Sequence, residues 1–252
     1  MKYSILTPTF NRPEPLLKCL NSVLFQNHKD FEMIIINDSP LYDYSEVAKY
    51  IQDKKDSRIK YFKNEKNSGV NFSRNFALAN ISDDSDYVIF LDDDDWLHSN
   101  ALSEIDNILI SNQNKNKKIN WLVTNRSIGN TSLTKNKTKK SKLNYFFDYL
   151  IFKRFVGDCT HTIDSNTATK YKFSERVKNG EEWTYFIQLP TDIHYENINT
   201  TNSEGYNDLG LNASMQKSYR ENTRKLFGEI KNCKMIIMLM LRSLNSLFRK
   251  NY

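Results

Sequence analysis

The sequence predicts an α/β fold in which helices cover both faces of a mostly parallel central sheet. Short apolar, β-prone runs alternate with segments whose apolar residues recur at helical spacing, and this alternation is typical of parallel sheets. The apolar runs are continuous, as expected for strands that are buried on both faces. With 252 residues, of which 39% are hydrophobic and 26% charged, the chain can bury a substantial core.

The elements follow one another in a regular order. The run at 3–7 predicts a first strand, and apolar residues at helical spacing over 16–24 predict a helix. The run at 33–36 predicts a buried strand, because the Asn-Asp-Ser-Pro sequence at 37–40 stops it. The remaining predicted elements are a helix at 44–52, a strand at 59–62, a helix at 72–80, and strands at 87–91 and 121–124.

Charge and cysteine content restrict the class of protein. The net charge of +6 and the isoelectric point near 9.0 favour anionic partners such as nucleotide-linked substrates, nucleic acid or acidic lipid headgroups. Cys19, Cys159 and Cys233 are far apart and form no C-x-x-C motif. Neither a disulfide framework nor a thiolate zinc site is therefore indicated, and a reducing cytoplasm is expected. The first ten residues predict a strand rather than a secretion signal.

Four consecutive aspartates, Asp92 to Asp95, directly follow the apolar run at 87–91. Neighbouring carboxylates repel and raise one another's pKa, whereas Mg²⁺ or Mn²⁺ would stabilise their charged forms. The row therefore indicates a divalent-cation site. The alternative is a solvated turn or a helix N-terminus, where exposed amide groups favour aspartate.

Polar residues also close two other predicted strands, at 7–11 and at Asp38. Ligands in open α/β sheets bind beyond the carboxyl ends of the strands, so the three strand ends should meet in one crevice. For Asp38 taken alone, the alternative is an Asx turn before Pro40.

Two later segments differ in composition. Residues 112–142 are rich in Lys and Asn without interleaved aromatic residues, so we expect a solvated loop and no nucleic-acid partner. Beyond residue 205 the pattern is helical, and the apolar run at 235–241 has basic residues on both sides. This run is far shorter than the ~20 residues of a spanning helix. The tail is expected to lie on an anionic membrane surface, to contact a partner or to pack on its own domain.

Five motifs together resemble the family 2 glycosyltransferases, which are inverting enzymes with the GT-A fold. The motifs are SILTPTFNR, FEMIIINDSP, NSGVNFSRNFALA, YVIFLDDDDW and KFSERVKNGEEWTYFIQL, in the family's order over residues 3–190. The resemblance implies a GT-A-type, Rossmann-like sheet. Two departures concern loop geometry: Ser39-Pro40 follows Asp38 where the family usually has glycine, and Asp93 replaces a small residue inside D-x-D.

The resemblance also implies roles for matching positions. The residues implied to bind the nucleotide-sugar are Thr7, Pro8, Thr9 and Phe10 at the nucleobase, Asp38 at the uracil edge, Arg74 at the diphosphate, and Asp92 and Asp93. Asp94 is implied as the ligand of Mn²⁺ or Mg²⁺, and Asp92 is a further candidate. Asp95 is implied to support these ligands without contacting the metal. A cation and an arginine would both stabilise the negative charge of a departing diphosphate.

The acidic pair near residue 181 resembles the family motif that supplies the general base, which removes the proton of the acceptor hydroxyl. Glu182 is the implied base and Glu181 the alternative, while a solvent-facing helix start is the structural alternative for both. Trp183 is predicted to contact the acceptor, although large aromatic residues often fill cores. His161 and His194 are not assigned catalytic roles.

Taken together, the residues and the resemblance predict an inverting hexosyl- or N-acetylhexosaminyltransferase that uses a nucleotide-sugar, with UDP as the expected nucleotide. Residues 1–100 would bind the donor, 101–205 the acceptor, and 206–252 would form a basic and apolar helical tail. The expected acceptor is a glycan or lipid-linked glycan of lipopolysaccharide or capsule, in the cytoplasm or peripherally at the inner face of the plasma membrane. A nucleotidyltransferase and a non-catalytic nucleic-acid- or glycan-binding protein are the alternatives.

Overall fold

The computed structural model describes residues 1–177, 180–203 and 221–248, and a ten-stranded mixed sheet lies at its centre. The strands are β1 (Tyr3–Thr9), β2 (Phe31–Asn37), β3 (Ile59–Lys63), β4 (Tyr87–Phe90), β5 (Asp95–Leu97), β6 (Trp121–Ile128), β7 (Thr131–Ser132), β8 (Lys135–Asn136), β9 (Lys142–Leu143), β10 (Phe155–Val156), β11 (Cys159–Asp164) and β12 (Ile193–Ser203). The helices are α1 (Pro13–Leu24), α2 (Ser45–Lys54), α3 (Val70–Leu78), α4 (Ala101–Gln113), a π-helix (Tyr145–Ile151), α5 (Ser165–Ala168), α6 (Trp183–Phe186), α7 (221–227) and α8 (Cys233–Phe248).

The strand order is β3-β2-β1-β4-β11-β6-β12-β5, with β7 paired to β6 and β9 paired to β12. Parallel pairing joins β3, β2, β1 and β4, and also joins β6 to β12. The strands β11 and β5 run against their neighbours. Since β5 comes from the first hundred residues and pairs with β12, the donor and acceptor halves expected from the sequence share one sheet.

The continuous apolar runs form the middle of this sheet. Both β1 and β2 are buried along their whole lengths, and they pair in register from Tyr3 with Phe31 to Thr9 with Asn37. Burial on both faces needs helices on both sides, because a bare apolar sheet face would be exposed to water. The predicted α/β class is thus confirmed, and most of the paired residues in the sheet belong to parallel strand pairs.

Two hydrophobic clusters cover the two faces. Side chains alternate along a strand, so Ile5 packs in one cluster with residues of α1, α2 and α4. Leu6 packs in the other with Trp121 and residues of α3, α5, α6 and α8. At about 25 cal/mol per Å² of apolar surface removed from water, these clusters supply the main driving force for folding.

The tail packs against the second cluster through one face of α8. Met235 and Leu239 are 1% and 0% exposed, whereas Ile237 and Met240 are 46% and 55% exposed. Intramolecular packing, one of the three outcomes expected for the tail, therefore occurs over the described part, while residues 206–220 and 249–252 lie outside it. No helix among the described residues is long and apolar enough to cross a membrane.

Several short elements differ from expectation. The helix α3 begins at Val70, two residues earlier than predicted, directly after Gly69 at φ +93°. The strand β6 continues to Ile128 through polar residues that pair with β12. The strands β5 and β7 to β10 have two or three residues each, too few for a periodic pattern to reveal them.

Candidate active site

The polar ends of β1, β2 and β4 lie at one edge of the sheet, as the strand-end argument predicts. The amide of Asp38, just after β2, donates to the carbonyl of Thr9 at the end of β1 at 2.9 Å. Leu91, just after β4, donates its amide to the carbonyl of Leu6 at 3.1 Å. The four aspartates then turn sharply, with the amide of Asp95 donating to the carbonyl of Asp92 at 3.1 Å. The chain continues directly into β5.

Three of the four aspartates converge. Oxygens of Asp92, Asp94 and Asp95 lie within 4.8 Å of one another. Hard, negatively charged oxygen donors at this spacing fit Mg²⁺ or Mn²⁺, which prefer carboxylate ligands. Asp94, the predicted metal ligand, and Asp92, the further candidate, both belong to this group. Asp93 is not part of this group, and it is 5% exposed.

Arginines from separate parts of the chain surround the aspartates. Arg12 Nη1 lies 3.3 Å from Asp93 Oδ1 and 3.3 Å from Asp94 Oδ2. Arg126 Nη2, on β6, lies 2.6 Å from Asp95 Oδ1, and its Nη1 lies 3.7 Å from Asp92 Oδ2. Buried carboxylates need such partners, because an unpaired buried charge is strongly destabilising. The acidic row is thus part of a charged network and not a solvated turn.

Burial and neighbouring charges raise the pKa of three of the aspartates and lower the pKa of the fourth. Burial raises the pKa of Asp93 to about 6, and burial together with the Asp92 charge raises the pKa of both Asp94 and Asp95. Burial also opposes ionisation of Asp92, but the guanidinium groups of Arg74 and Arg126 outweigh it and lower its pKa. A divalent cation would favour the ionised form of all the carboxylates it contacts.

Arg74 joins the acidic turn to the predicted base. It lies on α3 with its side chain 8% exposed, and its Nη2 donates to Asp92 Oδ1 at 2.9 Å. Its Nη1 donates to Glu182 Oε1 at 3.0 Å, across 108 positions of sequence. The sequence-based assignments of Arg74, Asp92 and Glu182 therefore fall in one contiguous cluster. Since the planar guanidinium can bind two oxygens at once, it suits phosphate as well as carboxylate.

The two candidates for the base have different surroundings. Glu182, the residue before α6, has a 42% exposed side chain that reaches Arg74. Glu181 has a 9% exposed side chain, and its two oxygens accept from Arg242 Nη2 at 2.7 Å and Trp183 Nε1 at 2.5 Å. The geometry therefore favours Glu182 over Glu181 as the group that an acceptor can reach. Glu181 also has φ +65°, a left-handed conformation that costs a non-glycine residue on the order of 1 kcal/mol.

Trp183 lies mostly inside the protein. Its side chain is 9% exposed, and the guanidinium carbon of Arg242 lies 5.5 Å from its ring centroid. Stacking of an acceptor sugar on Trp183 stays a prediction.

The predicted nucleobase loop spans the end of β1. Thr7 and Thr9 are 0% and 3% exposed, and Pro8 is also buried, whereas Phe10 is 46% exposed. Thr9 Oγ1 lies 2.8 Å from the hydroxyl of Tyr44. Phe10 is thus the member of the loop that offers an open face to a base.

Asp38 is buried and extensively hydrogen-bonded. Its Oδ1 accepts from Asn64 Nδ2 at 2.7 Å and from the amide of Ser68 at 2.8 Å, and its Oδ2 accepts from the amide of Gly69 at 2.7 Å. A carboxylate has about four acceptor positions, so capacity for one further donor remains. The Asx-turn alternative does not describe these contacts, since they reach the loop before α3.

Sequence reasoning assigned no role to Arg12, Arg126 or Arg242. Arg12 lies within the SILTPTFNR motif, which could have pointed to it, whereas Arg126 and Arg242 have no local pattern around them. His161 is half-buried beside the core: burial and the Arg74 charge lower its pKa to about 3, and its ring stacks on Phe186 at 4.2 Å.

Comparison with known proteins gives a consistent result. The family model described as "Glycosyl transferase family 2" matches residues 4–177, more than half of the chain. An uncharacterized glycosyltransferase of Rickettsia felis is 30% identical over 193 residues, which cover 75% of this chain and 30% of the relative. The GalNAc(5)-diNAcBac-PP-undecaprenol β-1,3-glucosyltransferase of Campylobacter jejuni is 42% identical over 105 residues, 41% of this chain and 33% of its own length. The chain thus spans about a third of these two relatives.

A longer match is the poly(ribitol-phosphate) β-N-acetylglucosaminyltransferase TarP of Staphylococcus aureus, 29% identical over 91% of this chain and 72% of the relative. Among solved structures, S. aureus TarS 1–349 aligns with a TM-score of 0.68 at 16% identity, covering 100% of this chain and 74% of TarS 1–349. TarS 1–349 in complex with UDP-GlcNAc aligns with a TM-score of 0.68 at 15% identity, over 95% of this chain and 70% of the other. These structural matches confirm the GT-A-type fold expected from the sequence. The chain therefore belongs to glycosyl transferase family 2.

Proposed function

We propose that this protein transfers a sugar from a UDP-linked donor to a hydroxyl group of a glycan acceptor, with inversion at the anomeric carbon. The observation that carries the proposal is the bridge from Arg74 to both Asp92 and Glu182. One cationic side chain thereby links a cluster suited to a divalent cation with an accessible carboxylate. A glycosyl transfer needs both, because the diphosphate must leave from one side of the sugar and the nucleophile must attack from the other.

On the donor side, Asp94 and Asp92 would hold Mn²⁺ or Mg²⁺, and Asp95 lies close enough to contribute. When bound, the cation supplies positive charge next to the leaving diphosphate. Arg74 would bind diphosphate oxygens through its guanidinium plane. Phe10 and Asp38 would contact the uracil, with Thr7, Pro8 and Thr9 shaping the loop beneath it. The similar TarS structures include complexes with UDP and with UDP-GlcNAc, which supports a UDP-linked donor.

On the acceptor side, Glu182 would take the proton of the attacking hydroxyl. As the acceptor oxygen forms its bond to the anomeric carbon, the bond from that carbon to the diphosphate oxygen breaks, and the proton stays on Glu182. Its 42% exposed side chain leaves room for an acceptor to approach. Once Arg74 binds the diphosphate, its hydrogen bond to Glu182 can be given up, and the carboxylate is then free to act as the base.

The names of two relatives support a proposal for the acceptor class. TarP is named for poly(ribitol-phosphate) and the Campylobacter enzyme for an undecaprenol-linked glycan, so a bacterial surface polymer or lipid-linked glycan is the proposed acceptor. A hexosyl or N-acetylhexosaminyl group is the proposed transferred sugar.

The outward residues Ile237, Met240 and Leu241 of α8 are at least 40% exposed and have Lys231 and Lys234 nearby in sequence, which supports peripheral contact with an anionic membrane. Flotation with phosphatidylglycerol vesicles should recover the parent and lose the Met240→Asp variant; equal flotation of both would oppose this contact.

The test of the main proposal is a screen of sugar nucleotides with and without Mn²⁺, in which release of free nucleotide is measured. The parent is compared with Asp94→Asn, Glu182→Gln and the control Asp53→Asn, whose side chain is 62% exposed on α2. We expect Mn²⁺-dependent turnover in the parent and the control, and a loss of at least about 100-fold in the two site variants. Turnover at the parental rate in both site variants would show that the metal ligand and the base are assigned wrongly.

A further inference from the structure

The C-terminal helix α8 contacts the loop that presents the proposed base. Arg242 Nη2 donates to Glu181 Oε1 at 2.7 Å, one position before Glu182. The two side chains are 13% and 9% exposed, so the ion pair is largely shielded from solvent and salt. This contact connects a helix outside the residues matched by the family, 4–177, to the centre of the proposed active site.

The position of Arg242 is fixed from several directions. It lies three residues after Leu239 and seven after Met235, and therefore on the face of α8 that packs into the core. Its Nε donates to Thr223 Oγ1, on α7, at 3.3 Å. Its guanidinium carbon lies 5.5 Å from the centroid of the Trp183 ring. The guanidinium is consequently held by groups from two other segments of the chain.

Glu181 is equally constrained. Its Oε2 accepts from Trp183 Nε1 at 2.5 Å, and its carbonyl accepts from the amide and the hydroxyl of Thr184 at 2.9 and 2.7 Å. The backbone of Glu181 is left-handed, at φ +65°. The Glu181 side chain is directed inward, and the side chain of the next residue, Glu182, is directed outward. Glu181 turns toward α8, and Glu182 turns toward Arg74 at 3.0 Å. The inward contact and the left-handed turn together set the direction of the outward carboxylate.

We propose that Arg242 is a positioning residue, which holds Glu181 so that the neighbouring Glu182 carboxylate points toward the donor site. The inference rests on the proposed function, because it gives Glu182 the role of base. The contact of Arg242 that reaches the base-bearing loop is its ion pair with Glu181, so we place its effect on catalysis through Glu181.

The kinetic test separates turnover from donor binding. In Arg242→Ala and in Glu181→Gln, kcat should fall about 10- to 100-fold, the loss expected when a catalytic group is misplaced by about 1 Å. The KM for the UDP-sugar should change less than about threefold, since the donor contacts remain. The double variant should be no slower than the slower single variant, because both changes disrupt the same ion pair. Arg242→Lys should recover part of kcat, and the exposed Arg224→Ala on α7 should match the parent.

A second readout does not depend on activity. The protein is labelled with 5-fluorotryptophan, and the ¹⁹F resonance of Trp183 is assigned with Trp183→Phe. This resonance should shift or broaden in Arg242→Ala and Glu181→Gln, while those of Trp96 and Trp121 stay in place. An unchanged Trp183 resonance, or a changed one with parental kcat, would overturn the inference. If the parent transfers no sugar at all, the proposed function fails, and the resonance alone still decides whether Arg242 holds the loop.

Discussion

Arg74 and Glu182 are 108 positions apart in sequence, and their side chains meet at 3.0 Å. The contact is possible because α3 and the short α6 pack against the same hydrophobic cluster on one face of the sheet. In the proposed reaction, the same arginine would meet the diphosphate of the donor. Donor binding and exposure of the base would therefore be linked through one side chain.

Replacement of Arg74 tests this link. Arg74→Lys keeps the positive charge but loses the planar fork that spans Asp92 and Glu182, so kcat/KM should fall at least about tenfold. The measurement is initial-rate kinetics with the UDP-sugar selected by the screen. Arg154→Lys, at a side chain that is 54% exposed, serves as the control. Parental kcat/KM in Arg74→Lys would mean that the bidentate geometry is unimportant.

Cation binding should stabilise the fold. A ligand that binds the native state raises stability by about 2.7 kcal/mol at a concentration 100 times its Kd. We expect Mn²⁺ to raise the Tm of the parent and of Asp53→Asn, and to have little effect on Asp94→Asn. Differential scanning fluorimetry with and without EDTA is the measurement. A Tm shift of equal size in Asp94→Asn would place the cation elsewhere.

The buried carboxylate of Glu32 should make stability depend on pH. Burial alone would raise its pKa, but hydrogen bonds from Lys60, Ser4 and Ser82 outweigh burial and lower it. A lowered folded-state pKa contributes stability above the unfolded value of about 4.3, and that stability is lost as pH falls through the folded pKa.

In Glu32→Gln the charge is absent at every pH, and a loss of about 1–3 kcal/mol is expected at pH 7. Urea unfolding at pH 7 and at pH 3.5 should show the gap between parent and variant narrowing at the lower pH. The exposed Glu46→Gln on α2 is the matched control. A gap that is constant or wider at pH 3.5 would contradict the assignment of stability to this ionised group.

Two leucines on α8 test which face of this helix packs on the domain. Leu239 is 0% exposed and Leu241 is 40% exposed. Leu239→Ala should destabilise the protein by about 2–5 kcal/mol, and Leu241→Ala by no more than about 0.5 kcal/mol. Chemical denaturation measures both. Equal effects would show that α8 does not dock on the domain through the Leu239 face.

The sequence predicted those site residues that lie in or next to a recognisable local pattern, such as an apolar run or an amphipathic helix. Asp92 to Asp95 follow an apolar run, and Arg74 lies in a motif on an amphipathic helix, so the order of residues alone places them at a strand end and on a helix. The class of fold followed from the same alternation of runs.

Arg126 and Arg242 could not be found in this way. Arg126 reaches Asp95 through the pairing of β6 and β12, and Arg242 reaches Glu181 across 61 positions. A single arginine in a strand or helix carries no periodic signal, and its partner is decided by topology. The strands β11 and β12 likewise mix polar and apolar residues, and polar side chains pair between them: the buried Thr160 hydroxyl donates to Thr201 Oγ1 at 2.7 Å.

The strand β5 has a thermodynamic consequence for the acidic turn. On one side, Leu91 is bonded to β1, and on the other, Asp95 to Leu97 pair with Thr201 to Ser203 of β12. The backbone between these attachments is therefore ordered when the protein folds, and the conformational entropy of that ordering is lost then. An incoming ion meets ligands whose main chain is already arranged, so little of its binding free energy is spent on ordering a loop.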